Sequence, residues 1–594
     1  MGDKGFMPSN RRIHITLIVL LVISALVRGF IAGFIELGND EVYYWTYAKF
    51  PALSHFDHPP MVGMVIQFFT LNLRYDSEFF LRLAAVVFGT LSTGLMFLIG
   101  RQIKSPLTGL YAAFLYTASF YGFILSGTFI LPDGPQVFFW LLTLYFLVKA
   151  LPDPDVSKAS RNFMFFAGWS AGCALLSKYH AIFLIFGAFF YILFYNRKWF
   201  LAKETWGALV MAILCFLPVV FWNIENDFIS FTFHEGRVGN TGLGLRPQYF
   251  LTEVVGQIFY NNPVNVVIIF TALAALIRKR NFLERSYKRL LLWFSLPLLL
   301  IFLFFSLFNS TLPHWTGPSY LGLILIGASF LAEPSPNARK LRLIPWPVIL
   351  SLTLLAAVAV TGVGQIRYGV IPVRRWKVDD VSLDMYGWKQ MGEKFGVLAK
   401  WDEDNFLIDR GSPILTFRWF PAANFDYYLA RNINKTVYAL GNLERIHKYN
   451  WINKQRGTLK KGSDAWYIAL SDDYEDPFAL YGTFFEMILP SDTLYILRGR
   501  DTVRKAFTFR LIDLKEDMVF ANEPPAKPPS QQRIDTLAYF IKQIWQDRLY
   551  LDMLQKKAIK DTVPLEDLIR REAQKMITQS RERRRLPDTV MISR

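Results

Sequence analysis

Two adjacent carboxylates, Asp40 and Glu41, stand in "GNDEVYYW", a few residues after an apolar run long enough to cross a membrane. Acids at such a place are either hydrated loop ends and helix N-terminal acids, or a base and its partner facing a site. The residues that follow favour a site. "VYYWTYAKF" is an aromatic stretch suited to a membrane interface, and "FDHPP" with the preceding His55 then sets Asp57 and His58 against two prolines. Because proline fixes its own φ and keeps the residue before it extended, Asp57 and His58 are either aimed at one point or part of a stiff turn. Further along, "LPDGP" puts Asp133 at the edge of another apolar run, where a carboxylate is costly unless paired or wet, although Asp before Gly-Pro also suits a helix cap. "LLSKYHA" confines Lys178 between two apolar runs, so that it either reaches the headgroups or meets an anion. "WNIENDFISFTFHEGRVG" adds His234, Glu235 and Arg237, and "LPHWTGPSY" adds His314, all of which serve structural pairs as readily as ligands. His58, His234 and His314 are too scattered to define a metal site, which leaves a divalent ion as a candidate cofactor and no metal ligand assigned.

The elements that must position these groups are membrane spans. Of the 594 residues, 53% are apolar, 16% aromatic and 19% charged, a balance that a soluble domain has no use for. Apolar runs lie near residues 13–35, 79–100, 106–126, 132–150, 163–178, 180–196, 205–222, 263–278, 289–308, 316–332 and 344–363, predicting a polytopic α-helical protein of about eleven spans. Arg11 and Arg12 precede the first run, which lacks a small-residue cleavage site after it and is read as a retained span. These two arginines, Arg101 with Lys104, Lys158 with Arg161, Arg197 with Lys198, Arg278 to Arg280, and Arg339 with Lys340 and Arg342 fall on alternate connections. All are cytoplasmic at once in a multi-pass inner-membrane protein with a cytoplasmic N-terminus. The formal charge of +17 then reflects topology and an anionic lipid surface, and nucleic acid is not an expected partner. Cys173 and Cys215 lie in apolar runs and are expected to be packing residues.

The opposite face receives the long loop 36–78, the turn at Asp133, the turn 177–179 and the segment 222–262, so the candidate groups gather outside the cytoplasm. Residues 1–363 are expected to form the membrane domain. From 364 to 522 charged and turn-forming residues rise, and "PILTFRWF" and "KTVYALG" suggest short strands of a soluble α/β domain in the outer, periplasmic-side compartment. Residues 523–594 comprise the linker "NEPPAKPPSQQ" and a basic tail of helical pattern.

Taken in order, "DEVYYW", "FDHPP", "LPDGPQVFFW", "GWSAGCALLSKYHAIFL" and "PVVFWNIENDFISFTFHEGR" resemble bacterial members of glycosyltransferase family 39. That family lies in the GT-C superfamily with the protein O-mannosyltransferases and the aminoarabinose lipid A transferases. The likeness covers roughly residues 10–330. It implies sugar transfer from a polyprenyl-phosphate donor to a hydroxyl of a protein, lipid A or another glycan, with inversion. It also implies Asp40 as catalytic base with Glu41 as its partner, Lys178 and Arg237 beside the leaving phosphate, and Asp133 and His58 completing the pocket, with Asp57 and His55 supporting the loop. A departing phosphate is already a stable anion, so one carboxylate base suffices where glycoside hydrolysis generally uses two. No cytoplasmic connection is long enough for a nucleotide-sugar domain, in keeping with an outward-facing lipid donor. The rival is a transporter or flippase of lipid-linked or small solutes, which predicts ionisable residues near mid-span and duplicated halves; a scaffold for envelope assembly would need neither.

Overall fold

The computed structural model describes residues 8–239, 244–334, 342–376 and 379–520, with six scattered residues between 554 and 575. Two units are defined, Met1–Asn522 and Glu523–Arg594; the expected linker and basic tail lie almost wholly outside the described residues.

Each expected apolar run is helical, but the helices differ in length. Five are long and apolar enough to cross a membrane, and a sixth arises if Pro247–Tyr260 and Pro263–Ile277, bent by 100°, count as one span. The other runs coincide with helices that are shorter or less apolar, such as α5 below. The first helix, α1 (Asn10–Phe34), exposes Ile18, Leu26 and Phe30 on one side. An apolar face of that kind is stable only against lipid or another apolar surface.

The segment 36–78, expected as a loop, contains two helices, α2 (Asn39–Lys49) and α3 (Met61–Phe69). The sequence "NDEVYYWTYAK" shows no amphipathic period because α2 is buried nearly all round; Val42, Tyr43, Trp45 and Tyr47 are each at most 2% exposed. Asp40 and Glu41 occupy its first turn, where acids favour the positive end of the helix dipole. A Cβ at Gly63 of α3 would lie 2.8 Å from the Tyr47 Cβ, so this glycine permits the close crossing of the two helices. The chain continues through α4 (Glu78–Ile103), α5 (Pro106–Ala118), a single π-turn at Tyr121–Leu125, α6 (Asp133–Ala150) and α7 (Lys158–Ser177). The segment 222–262 is likewise helical in part, at Ile229–Gly239 and Pro247–Tyr260.

Beyond the helix Trp346–Tyr368 lies a five-stranded mixed sheet of order β2-β1-β3-β5-β4. Its strands are β1 (Ile414–Thr416), β2 (Val437–Ala439), β3 (Ala465–Leu470), β4 (Phe485–Arg498) and β5 (Asp501–Leu514). The β1 strand runs parallel to β2 and β3, whereas β5 is antiparallel to β3 and β4. Every residue of β3, "AWYIAL", is buried, as a central strand covered on both faces requires. "PILTFRWF" thus forms a strand in its first half and turns helical from Trp419. One apolar core runs from this layer into the segment 36–78, joining Tyr43, Trp45 and Val62 to Trp388, Phe395, Tyr427 and Trp466.

Candidate active site

Of the two neighbouring acids, Glu41 is committed. It is 1% exposed, and Arg82 of α4, also buried, donates to it through Nε at 2.8 Å and Nη2 at 2.6 Å. The backbone N–H groups of Ile130 and Gly38 add bonds at 2.9 and 3.0 Å. Arg82 directs its remaining donors to the carbonyls of Ala32, Ile35 and Glu36, the C-terminal end of α1. A buried pair of this kind is stable because both partners are saturated, and here it ties α1, α2, α4 and the loop residue Ile130 together.

Asp40 has the opposite character. It is exposed and accepts no hydrogen bond among the described residues, although protein surrounds it closely. That enclosure raises its carboxyl above the usual range; Asp57 and Glu41 add to the effect, while His58 and Lys178 oppose it. Open to water yet ringed by charged side chains, Asp40 faces a cleft and not bulk solvent.

Asp57 is one of the charges that act on Asp40. Tyr43 and Tyr47 of α2 donate to its Oδ1 at 2.9 and 2.5 Å, and His58 Nδ1 donates to Oδ2 at 3.1 Å. Burial alone would raise the Asp57 carboxyl, but the His58 hydrogen bond, the neighbouring His58 and His447 and the Tyr47 hydroxyl hold it well below the carboxylate range. Donation from Nδ1 leaves His58 Nε2 to other partners. His234 Nε2 donates to the Asp57 carbonyl at 2.9 Å, joining Ile229–Gly239 to the loop. His55 is buried, its ring centroid 3.7 Å from that of Tyr47, and Ser230 Oγ donates to its carbonyl at 3.0 Å. Burial, with Lys448 nearby, keeps its imidazole well below the usual range and hence neutral.

The Asp133 and Lys178 stretches come together. Lys178, in the extended link that ends α7, donates to both Asp133 oxygens at 3.1 and 2.9 Å, and Tyr121 donates to Oδ1 at 3.0 Å. An ammonium has three donors, so one remains for a ligand. This corner communicates with Asp40 around the Tyr44 ring of α2: the hydroxyl of Tyr44 is raised well above its ordinary value by burial and by Asp40, Asp57, Tyr43 and Asp133. His314 lies near as well; burial and the Lys178 charge push it down to about 4. Arg237 lies on the helix Ile229–Gly239, and its side chain is outside the described residues. Among the described residues no three His, Cys, Asp or Glu side chains approach closely enough to hold a metal, so the cleft offers a divalent ion no ready-made ligand set. Cys173 and Cys215 are free thiols.

Sequence reasoning missed four participants. Arg82 carried a signal, a lone arginine inside an apolar run, which demands a partner. Tyr44 was visible as one of several aromatics without a distinct role. Asp384 and Lys448 are distant in sequence, and nothing local marks them.

The fold is similar to that of ArnT from Cupriavidus metallidurans, solved bound to undecaprenyl phosphate: TM-score 0.54 at 17% identity, covering 83% of this chain and 97% of that one. The resemblance drawn from the motifs holds in the sequence comparisons too, since residues 57–222 match the model of the dolichyl-phosphate-mannose-protein mannosyltransferase family. Among curated proteins, the chain is 21% identical over 307 residues to the lipid A galacturonosyltransferase RgtD of Rhizobium johnstonii, 51% of this chain and 62% of that protein. It is 26% identical over 391 residues to the undecaprenyl phosphate-alpha-4-amino-4-deoxy-L-arabinose arabinosyl transferase of Pseudomonas aeruginosa, 57% of this chain and 66% of that protein. The matches thus span somewhat less than two thirds of these relatives.

Proposed function

We propose that this protein is a membrane glycosyltransferase that moves a sugar from a polyprenyl-phosphate donor to a hydroxyl acceptor, with Asp40 as general base. The observation that carries the reading is the contrast among the carboxylates of the cleft. Glu41, Asp57 and Asp133 are saturated by partners, whereas Asp40 is open and unbonded among the described residues. Its raised carboxyl is a stronger base than an ordinary aspartate, and it acts once ionised.

In the reaction, the acceptor oxygen attacks the anomeric carbon as its proton passes to Asp40. The bond from that carbon to the phosphate oxygen breaks on the far side and its electron pair leaves with the phosphate, so the sugar is inverted. The free donor of Lys178 receives charge growing on the phosphate, and Asp133 holds the lysine in place; His58 in its doubly protonated form adds an Nε2–H donor to the same phosphate. Arg237 is assigned to the same phosphate. Glu41 serves by fixing α2 through Arg82, and Asp57 and His55 fix the loop.

The helices that match the eleven expected runs are read as spans, with α2, α3 and residues 364–522 on the outer, periplasmic side of the inner membrane. The names of the curated relatives favour a glycolipid acceptor of the lipid A kind and an undecaprenyl-phosphate donor. Transfer by the purified protein from undecaprenyl-phosphate-linked aminoarabinose or galacturonic acid to lipid A, compared with Asp40→Asn, tests the reading. Transfer by Asp40→Asn at the wild-type rate would refute the base assignment.

A further inference from the structure

The N-cap of α2 is Gly38, which has no side chain, and the helix's own Glu41 accepts only the Gly38 N–H at this end. The Asn39 N–H is instead accepted by Asp384 Oδ1 at 3.2 Å, from a short turn of the outer domain. The relation is reciprocal. The outer-domain helix Trp388–Asp404 also has a glycine N-cap, Gly387, and Glu36 beside α2 accepts the Trp388 N–H at 2.7 Å. Each helix therefore takes an acid from the other part of the chain, and each of these acids lies at the positive end of a helix dipole. A side chain at position 38 would collide with the same turn, its Cβ lying 2.9 Å from Met385 Cε and 3.0 Å from Asp384 Oδ2.

The far end of α2 is held too. Lys448 is buried, and its ammonium donates to the carbonyls of Thr46 and Phe50 at 3.0 and 2.7 Å, the last turn of the helix. At the N-terminal end Asn424 Nδ2 also donates to Asn39 Oδ1 at 2.6 Å, and the Leu37 N–H donates to Tyr428 at 2.6 Å. Within the membrane layer the first turn is held through Glu41, by Arg82 and the Ile130 N–H.

We propose that the outer domain is a clamp on the catalytic helix and that Asp384 is the residue positioning Asp40. The inference rests on the base assignment above. Asp384 also acts by charge: burial and the facing Asp40 and Glu41, opposed by the Asn39 N–H and by Arg504 of β5, push its carboxyl up to about 7. Above that pH a second negative charge stands near Asp40 and strengthens it as a base; below it, Asp384 is neutral and the effect is lost.

The test uses the full chain in detergent, with wild type, Asp40→Asn, Asp384→Asn and Asp384→Leu. Asparagine keeps an acceptor for the Asn39 N–H and removes the charge; leucine removes both. Asp384→Leu is expected to lower kcat about tenfold with the donor KM unchanged, and to speed hydrogen exchange of the α2 amides about tenfold, a readout that needs no substrate. Asp384→Asn should restore most of kcat while losing the step near pH 7 that ionisation of Asp384 gives the wild-type profile. If the leucine variant does not fold, the asparagine profile decides alone. Wild-type kcat, exchange and pH profile in the Asp384 variants, beside an inactive Asp40→Asn, overturn the positioning role and leave the base assignment standing. An active Asp40→Asn overturns both.

Discussion

Two buried ion pairs flank the cleft, Glu41 with Arg82 and Asp133 with Lys178, and they differ in what they leave over. Arg82 spends every donor on Glu41 and on the end of α1, so nothing remains for a ligand. Lys178 meets Asp133 through two contacts and keeps a donor in reserve. A closed pair is architecture, while an open one is an anion site held in shape by its own counter-ion. The same distinction separates Asp40 from Glu41, adjacent in sequence and opposite in use.

The comparison breaks first at Asp40. Asp40→Asn should reduce sugar transfer by about 10²- to 10⁴-fold while the affinity for the lipid phosphate, measured by displacement of a labelled donor, stays the same. Next comes the closed pair. Arg82→Met leaves Glu41 buried and unpaired, with an expected loss of about 3–5 kcal/mol, seen as a lowered thermal midpoint in detergent. Adding Glu41→Gln to Arg82→Met should recover part of that loss, which a catalytic role for Glu41 would not explain. At the open pair, Lys178→Ala is expected to weaken donor binding by about tenfold, with Lys178→Arg recovering much of it; unchanged affinity would make this pair as structural as the first. The smallest effect concerns pH. Because the Asp40 carboxyl is raised and acts ionised, transfer should fall on acidification at a higher pH than an ordinary aspartate would give, and a kcat profile checks this. Asp57 titrates in the other direction. Its depressed carboxyl contributes stability that is fully present above the ordinary aspartate range and is lost as pH falls below it, so thermal midpoints should hold down to about pH 4.

Much of the cleft was legible in the residue string because its members sit in short, distinctive runs. Asp40, "FDHPP", "LPDGP" and Lys178 could each be read as a charge that the surrounding apolar sequence would not tolerate without a purpose, and the structure gathers them. Helix α2 was legible only at its start, as one reading of Asp40 and Glu41, and its extent was not. Periodicity reveals a helix through its contrast of faces, and a helix packed against protein on all sides has none. Its partners were hidden for a different reason. Asp384 and Lys448 are ordinary polar residues in a mixed α/β segment, and their importance exists only once the chain has folded back on its beginning. The short strands around Leu415 and Tyr438 were found because β-branched and aromatic residues cluster between turn signals, yet their pairing order depends on contacts that no local pattern encodes.

The bonds that secure α2 have a consequence in time. Asn39 waits for a partner 345 residues downstream, and Thr46 for one 402 residues downstream. Contacts so remote in sequence form late, after the entropy of closing a very long loop has been met. During synthesis most of the membrane helices are made before Lys448 exists. A nascent or truncated chain can therefore be threaded into the bilayer while its acid at position 40 still lacks a fixed address, and the last part of the protein to fold is the one that completes the first.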